Sequence, residues 1–269
     1  MEWRTMMPRL AAIALVVLIA DQCSAFSALA PAVPPAASPF TTPVAAGGGG
    51  LFAAPLAEFK RSALKKQLIK AAEDKDEELV ISLVEELSAY NPTDAPTLGL
   101  GGYGGVSAKD APLNGEWRLL FTNAKDAEAP ARTEKKGGGF KDEVAEGVQI
   151  TTGQRIDADA GECINYIYAS GDKRPFDQLE ITIKMTALSS RRVRLDFQRG
   201  RAQNENAPLS FLEDVSFSFP PAFIGDGLAR LRGKDPSVEP PAYFDILYVD
   251  QQLRAHRTGE GKIFVQMRQ

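Results

Sequence analysis

The sequence predicts a mainly β protein of the α+β kind: an antiparallel β-barrel of about eight or nine strands, preceded by two N-terminal α-helices. Three observations predict it. Apolar residues recur at helical spacing only ahead of residue 92. From Gly115 onward apolar and polar residues alternate with a period of two, and no long helical segment interrupts the runs. Antiparallel meanders of this length usually close, which removes exposed strand edges.

The first elements are not part of that fold. Arg4 and Arg9 precede an apolar run, Leu10 to Ala20, and the small triplet Cys23-Ser24-Ala25 follows it. This layout predicts a signal peptide over residues 1–25, cleaved after Ala25. The run is eleven residues long. A membrane span needs about 20. Residues 26–50 carry no charge and consist largely of Ala, Pro, Ser, Thr and Gly, which cannot bury enough apolar surface to fold. They are expected to be a disordered linker or a transit peptide. Phe26 at the new N-terminus, followed by such a segment, resembles the two-part plastid address of algae with secondary plastids.

The helices are expected within residues 51–92. Leu56, Phe59, Ala63, Leu64 and Leu68 recur at helical spacing, as do Leu79, Val80, Leu83, Val84 and Leu87. Asn91-Pro92 ends the second helix, because proline disfavours a helical residue before it. Lys60, Arg61, Lys65, Lys66 and Lys70 predict a solvated basic face on the first. An alternative reading is an interaction or assembly protein bound to a membrane complex, with the helices as a docking element separable from a barrel that starts near Leu113; a further alternative is a barrel enzyme acting on a bound ligand.

Residues 93–112 read as a flexible, glycine-rich linker. Gly99, Gly101 and Gly104 match a dinucleotide-binding pattern, but no strand delivers them and no helix follows, so the match is rejected. The barrel occupies residues 113–269, with strands near 116–123, 147–156, 162–169, 177–187, 191–198, 209–218, 243–249 and 252–268. Alternation implies one buried and one wet face per strand, as where Ile263, Val265 and Met267 alternate with Phe264, Gln266 and Arg268. Ile181, Ile183, Val193, Leu195 and Phe197 are expected inside, with Trp117, Leu119 and Phe121 from the first strand, where Leu120 breaks the pattern. A barrel of about eight strands has room for one small ligand beside its side chains.

The segment from Phe217 to Phe244 lacks alternation, and Pro220, Pro221, Pro236, Pro240 and Pro241 forbid a regular ladder. A short helix from Asp226 to Arg232 is expected there, closing one end of the barrel. Phe223, Leu228 and Leu231, with Arg230 and Arg232, are the candidate membrane contacts.

Charge and catalytic residues narrow the function. A formal charge of -4 argues against binding driven by phosphate neutralisation. Of the two cysteines, Cys23 leaves with the signal, and Cys163 alone fits a reducing compartment. Cys163 reads as an inert core thiol, and the single histidine, His256, as a surface or strand-edge residue. No catalytic set, metal-ligand spacing or cofactor motif is legible, so a non-enzymatic role is expected.

The step Gly115-x-Trp117 resembles the opening of lipocalin-type barrels. That resemblance implies that the indole plugs the closed end under a cation from near the last strand, with Arg254 and Arg257 as candidates. Four blocks in order, "EELSAYNPTDAP", "LNGEWRLLFTNA", "GQRIDADAGECINYI" and "YFDILYVDQQLRAHRTGEGKIFVQMR", resemble the plastid-lipid-associated proteins, or fibrillins, over Glu85 to Arg268. "EKKGGGFKDE" and the glycine-rich tract look like insertions, and His256 departs from the family's usual apolar or small residue. The resemblance implies a lipocalin-like barrel in the plastid, at plastoglobules or thylakoids. Its implied partner is an apolar lipid or isoprenoid such as a quinone or carotenoid.

Overall fold

The computed structural model describes residues 53–124 and 147–269, apart from 173, 175, 208, 232, 234 and 239. The expected signal peptide, the uncharged segment after it and "EKKGGGFKDE" lie outside the described residues. Two helices come first, α1 (Ala53–Asp74) and α2 (Glu77–Ser88). Lys75 turns the chain between them with φ 58°, and the Asp76 carboxylate caps α2 by accepting from the Leu79 N–H at 3.1 Å.

Nine strands follow: β1 (Gly115–Thr122), β2 (Gln149–Asp157), β3 (Glu162–Ser170), β4 (Gln178–Ala187), β5 (Arg192–Gln203), β6 (Asp214–Ser218), β7 (Tyr243–Val249), β8 (Leu253–Thr258) and β9 (Ile263–Arg268). Every pairing is antiparallel, and the sheet closes because β4 also pairs with β5. Eight strands form the barrel. β6 is the ninth, laid along the far half of β5, which pairs with β7 through its near half. The run expected as one strand over 252–268 is two, β8 and β9, turning at Gly261 with φ 81°. The helix in the proline-rich segment is α3 (Ala222–Leu231), beginning four residues before the position expected for it.

The breaks in alternation have a structural cause. Leu120 is an extra residue in β1, since Leu119 faces Gln266 and Phe121 faces Val265. Leu247 is likewise extra in β7, between Ile246 opposite His256 and Tyr248 opposite Ala255. Each bulge presents two successive apolar side chains to one side. Leu120, Phe121, Leu247 and Tyr248 all join the cluster formed with Leu68, Leu83, Val84 and Leu87 of the helices. α1 lies on β1 and α2 on β7, so the bulges fall where the helices dock.

This docking corrects three expectations. The helices are not separable from the barrel, because they cover its outer wall over β7, β8, β9 and β1. Lys65 is not simply solvated. It pairs at 2.5 Å with Asp250, whose carboxylate also accepts from the Tyr248 hydroxyl at 2.6 Å and from the Gln252 and Leu253 N–H groups at 2.7 and 2.8 Å. Burial pushes the Asp250 carboxyl up, but these donors outweigh it and hold it below the ordinary value. On β9 the expected wet face points inward, because Ile263 and Val265 are buried under the helices.

Residues 93–112, expected as a flexible linker, form a strap across one end of the barrel. Asn91 and Thr93 hold the end of β7 through the Leu247 carbonyl and the Val249 N–H and carbonyl. Thr97 donates to the Ser189 carbonyl at 2.7 Å, at the turn between β4 and β5. The Gly101 N–H donates to Ala158 at 2.7 Å, at the turn between β2 and β3. Leu100, Ala111 and Leu113 are buried in the interior cluster. The segment is glycine-rich because Gly99, Gly101, Gly102, Gly104 and Gly105 all take positive φ as it bends.

Candidate functional site: the barrel interior

The strapped end is a dry floor built around Trp117. Gly115, two residues earlier, has φ 115°, and a Cβ there would meet Nη1 of Arg268 at 2.6 Å. Glycine is favoured here by the positive φ, and its missing side chain lets the guanidinium pass close over the backbone. The Trp117 indole N–H donates to the Leu113 carbonyl at 2.9 Å, so the side chain is fully buried without an orphaned donor. Ile156, Ala158, Cys163, Ile183, Met185, Val193, Ile246 and Val249 pack round it.

Two cations lie against the indole. The guanidinium carbon of Arg268 is 4.1 Å from the ring centroid and that of Arg254 is 5.0 Å. Arg254 was an expected candidate and Arg268 was not. Arg257 does not reach the ring. Next but two along β8 from Arg254, it leaves the barrel on the opposite face and pairs with Glu85 of α2. Phe121 is also displaced from the interior, because the bulge at Leu120 turns it toward the helices. Trp117, Ile181, Ile183, Val193, Leu195 and Phe197 are brought together in one interior cluster, and Leu119 shares the face of Trp117.

Polar groups inside the barrel were hidden by their sequence context. Arg254 is fully buried; its Nε donates to Oε1 of Gln266 at 2.8 Å, and its Nη2 donates to Gln266 and to Oε1 of Gln154. Gln154 in turn donates to Asn165 at 2.8 Å, and that oxygen also accepts from the Cys163 thiol at 3.4 Å. Among the described residues the guanidinium Nη1 has no partner. Burial lowers the Arg254 pKa to about 9, with Cys163 opposing and Arg268 adding to the shift. Burial likewise pushes the Cys163 thiol up to about 12, as expected of an inert thiol.

His256 is not a surface residue. It is buried between Phe244, with ring centroids 4.6 Å apart, and Phe264, stacked at 5.0 Å. Burial, and then Arg254, hold it far below the ordinary imidazole value, and its Nδ1 has no partner. Alternation alone could not separate these residues from a wet outer face, since a polar residue at every second position reads the same in both cases.

Toward the other end the lining changes. Leu119, Ile181, Leu195, Phe197 and Phe264 are only partly buried, whereas the floor residues are closed off from solvent. Beyond them Ile167, Ala169, Leu179, Ala202 and Phe217 form a further apolar cluster. Phe217 lies over Gly200, where a side chain would collide with its ring, and contacts Phe219, which contacts Phe197.

α3 follows Phe219 in the chain and is tied to β5. Asp226 tethers it through Arg194 of β5, with both carboxylate oxygens 3.0 Å from Nη2. Among the expected membrane contacts, Phe223, Arg230 and Leu231 are exposed, and Ile224 joins them. Arg232 and the side chain of Leu228 lie outside what is described. Among the described residues no three metal-ligating side chains cluster.

A closed eight-stranded meander, floored by a Gly-x-Trp step under a cation, defines a lipocalin-like barrel protein. Within that class the family model PAP_fibrillin matches residues 63–267, and the chain belongs to this family, the plastid-lipid-associated proteins or fibrillins. The match takes in both the helices and the barrel, which fits their shared core. No curated protein and no solved structure matches the chain.

Proposed function

We propose that this protein takes up one apolar lipid or isoprenoid, such as a quinone or carotenoid, in its barrel at a plastoglobule or thylakoid surface, without catalysing a reaction. The observation that carries the reading is the uneven interior. Its floor is sealed by Trp117 and the strap, while Leu119, Ile181, Leu195, Phe197 and Phe264 remain partly accessible above it. Apolar side chains left partly open inside a closed barrel are what a ligand of this kind would cover. Family membership supports a plastid location and lipid association. A leader of the two-part type would deliver the chain there.

Membrane contact is assigned to α3 and its flanks. Phe211, Phe223 and Leu231 are all more than 70% exposed, an unusual cost for large apolar groups within one segment. Arg230 beside them would meet anionic headgroups, at about 1 kcal/mol per base. The helices α1 and α2 direct Leu68, Val80, Leu83, Val84 and Leu87 at the barrel, which weakens the rival view of an interaction or assembly protein docked through them on a thylakoid complex.

Titration of the protein with plastoquinone tests the first assignment. Saturable one-to-one quenching of Trp117 is expected; absence of saturation with any quinone or carotenoid would leave a packed scaffold instead. Flotation with liposomes tests the second. Arg230→Glu/Arg232→Glu should float less with anionic vesicles, and Phe223→Asp/Leu231→Asp less with all vesicles. Equal flotation of all proteins would remove α3 from the membrane contact.

A further inference from the structure

Among the described residues no carboxylate is hydrogen-bonded or ion-paired to the cations of the barrel floor. Arg254 is completely buried, a guanidinium stays cationic at neutral pH, and among the described residues no carboxylate pairs with it. Its three hydrogen bonds go to the neutral amide oxygens of Gln154 and Gln266. Arg268, the second cation on the indole, donates to the backbone carbonyls of Asn114 and Pro112, and its Nε has no partner. A buried guanidinium without a counter-ion is costly, and an unfilled donor on it more so. A cation–π contact with Trp117 recovers only about 0.5–2 kcal/mol. The indole explains where Arg254 lies, not why a charge is kept there.

The surroundings of the unfilled Nη1 define what would fill it. Above the guanidinium lie Leu119, opposite Gln266 on β1, and Phe264, two residues along β9 from Gln266 and opposite His256; both are partly buried. His256, two residues along the same face of β8, has an unpartnered Nδ1 and is held neutral. Gln154 and Asn165 bound the node on the opposite wall. The groups converging there are a charged donor, amides and an imidazole, with apolar side chains above. That order of polarity, polar below and apolar toward the mouth, matches a chain molecule with a small oxygen-bearing head.

We propose that the barrel binds a single-chain lipid acid, its carboxylate seated on Arg254 and its hydrocarbon chain running along Leu119, Ile181, Leu195 and Phe197 toward the mouth. The inference rests on the carrier reading above and sharpens it. A neutral quinone or carotenoid could occupy the upper half but would leave the floor charge unbalanced. A carboxylate is small, planar and accepts at two oxygens, so it suits a node already enclosed by glutamine and asparagine side chains.

The test is a titration of the full chain carrying Trp3→Phe, which leaves Trp117 as the single indole, with cis-parinaric acid, its methyl ester and a plastoquinone, all below their aggregation concentrations, reading energy transfer from Trp117 or its quenching. The ester keeps the chain and removes the charge. The acid should bind one per chain, about 10- to 100-fold tighter than the ester, the range expected for a hydrogen bond to a charged group. In Arg254→Gln that ratio should fall toward one, and Arg254→Lys should retain part of it. Should the arginine variants fail to fold, the acid-to-ester ratio of the unaltered protein decides alone. Equal affinity for acid and ester, with quinone bound, would overturn the headgroup assignment and leave the carrier reading intact. Failure of all three to bind would overturn both.

Discussion

Leu87→Ala on α2 measures whether the helices and barrel are one cooperative unit. Leu87 has no exposed surface and lies in a cluster drawn from α1, α2 and the outer faces of β1, β7, β8 and β9. Truncating a fully buried leucine removes its transfer free energy and leaves a cavity that rigid strands on one side cannot collapse to fill. The cost for such sites is about 3–5 kcal/mol. Domains are stable by only about 5–15 kcal/mol. With a urea dependence of about 2–3 kcal/mol per molar, the midpoint should fall by roughly 1–2 M. The assay is urea unfolding followed by far-ultraviolet circular dichroism and by Trp117 fluorescence in a Trp3→Phe background, which leaves a single indole. Both signals should shift together, although Trp117 sits in the other cluster. An unchanged fluorescence midpoint, with helical signal alone lost early, would refute the shared core.

Further outcomes follow from the same contacts. A chain beginning at Leu113 would uncover Phe121, Leu247, Tyr248, Leu253, Ile263 and Val265, and should sediment as aggregate rather than as a monomeric barrel. His256 is neutral in the fold and free to charge when unfolded, so stability should fall below about pH 6.5 by up to about 1.4 kcal/mol per pH unit; His256→Phe should flatten urea midpoints between pH 7 and 5. Asp250 has a lowered folded pKa, so its contribution is present above about pH 3.9 and is lost as pH falls through the folded value. Asp250→Asn should therefore cost about 1–3 kcal/mol at pH 7 and weaken the acid-side loss, read from melting at pH 7 and 3. Cys163 should resist thiol reagents at pH 8 and react only at the rate of unfolding; rapid labelling of the folded chain would contradict its burial.

Much was legible without a structure because it depends on local order. Helical spacing in Leu64, Leu68, Leu83 and Leu87, and strand alternation in Leu179 to Met185, follow from side-chain periods that any chain must obey. Gly115 and Trp117 marked the floor through their resemblance to the opening of lipocalin-type barrels, and the structure places Gly115 at φ 115°, which other residues rarely adopt. Three things depended on which elements meet across space. The bulges at Leu120 and Leu247 send Phe121 and Tyr248 outward, and they make sense only once α1 and α2 are placed on β1 and β7. Arg254 and Arg257 are three residues apart in one strand, yet one is sealed beside Trp117 and the other pairs with Glu85. His256 and Gln266 looked like solvent-facing positions and nothing marked Gln154 and Asn165 as interior, because alternation reports that two faces differ and not which is enclosed. Closure of the barrel put those polar residues inside, and docking of the helices made the other face of β9 dry.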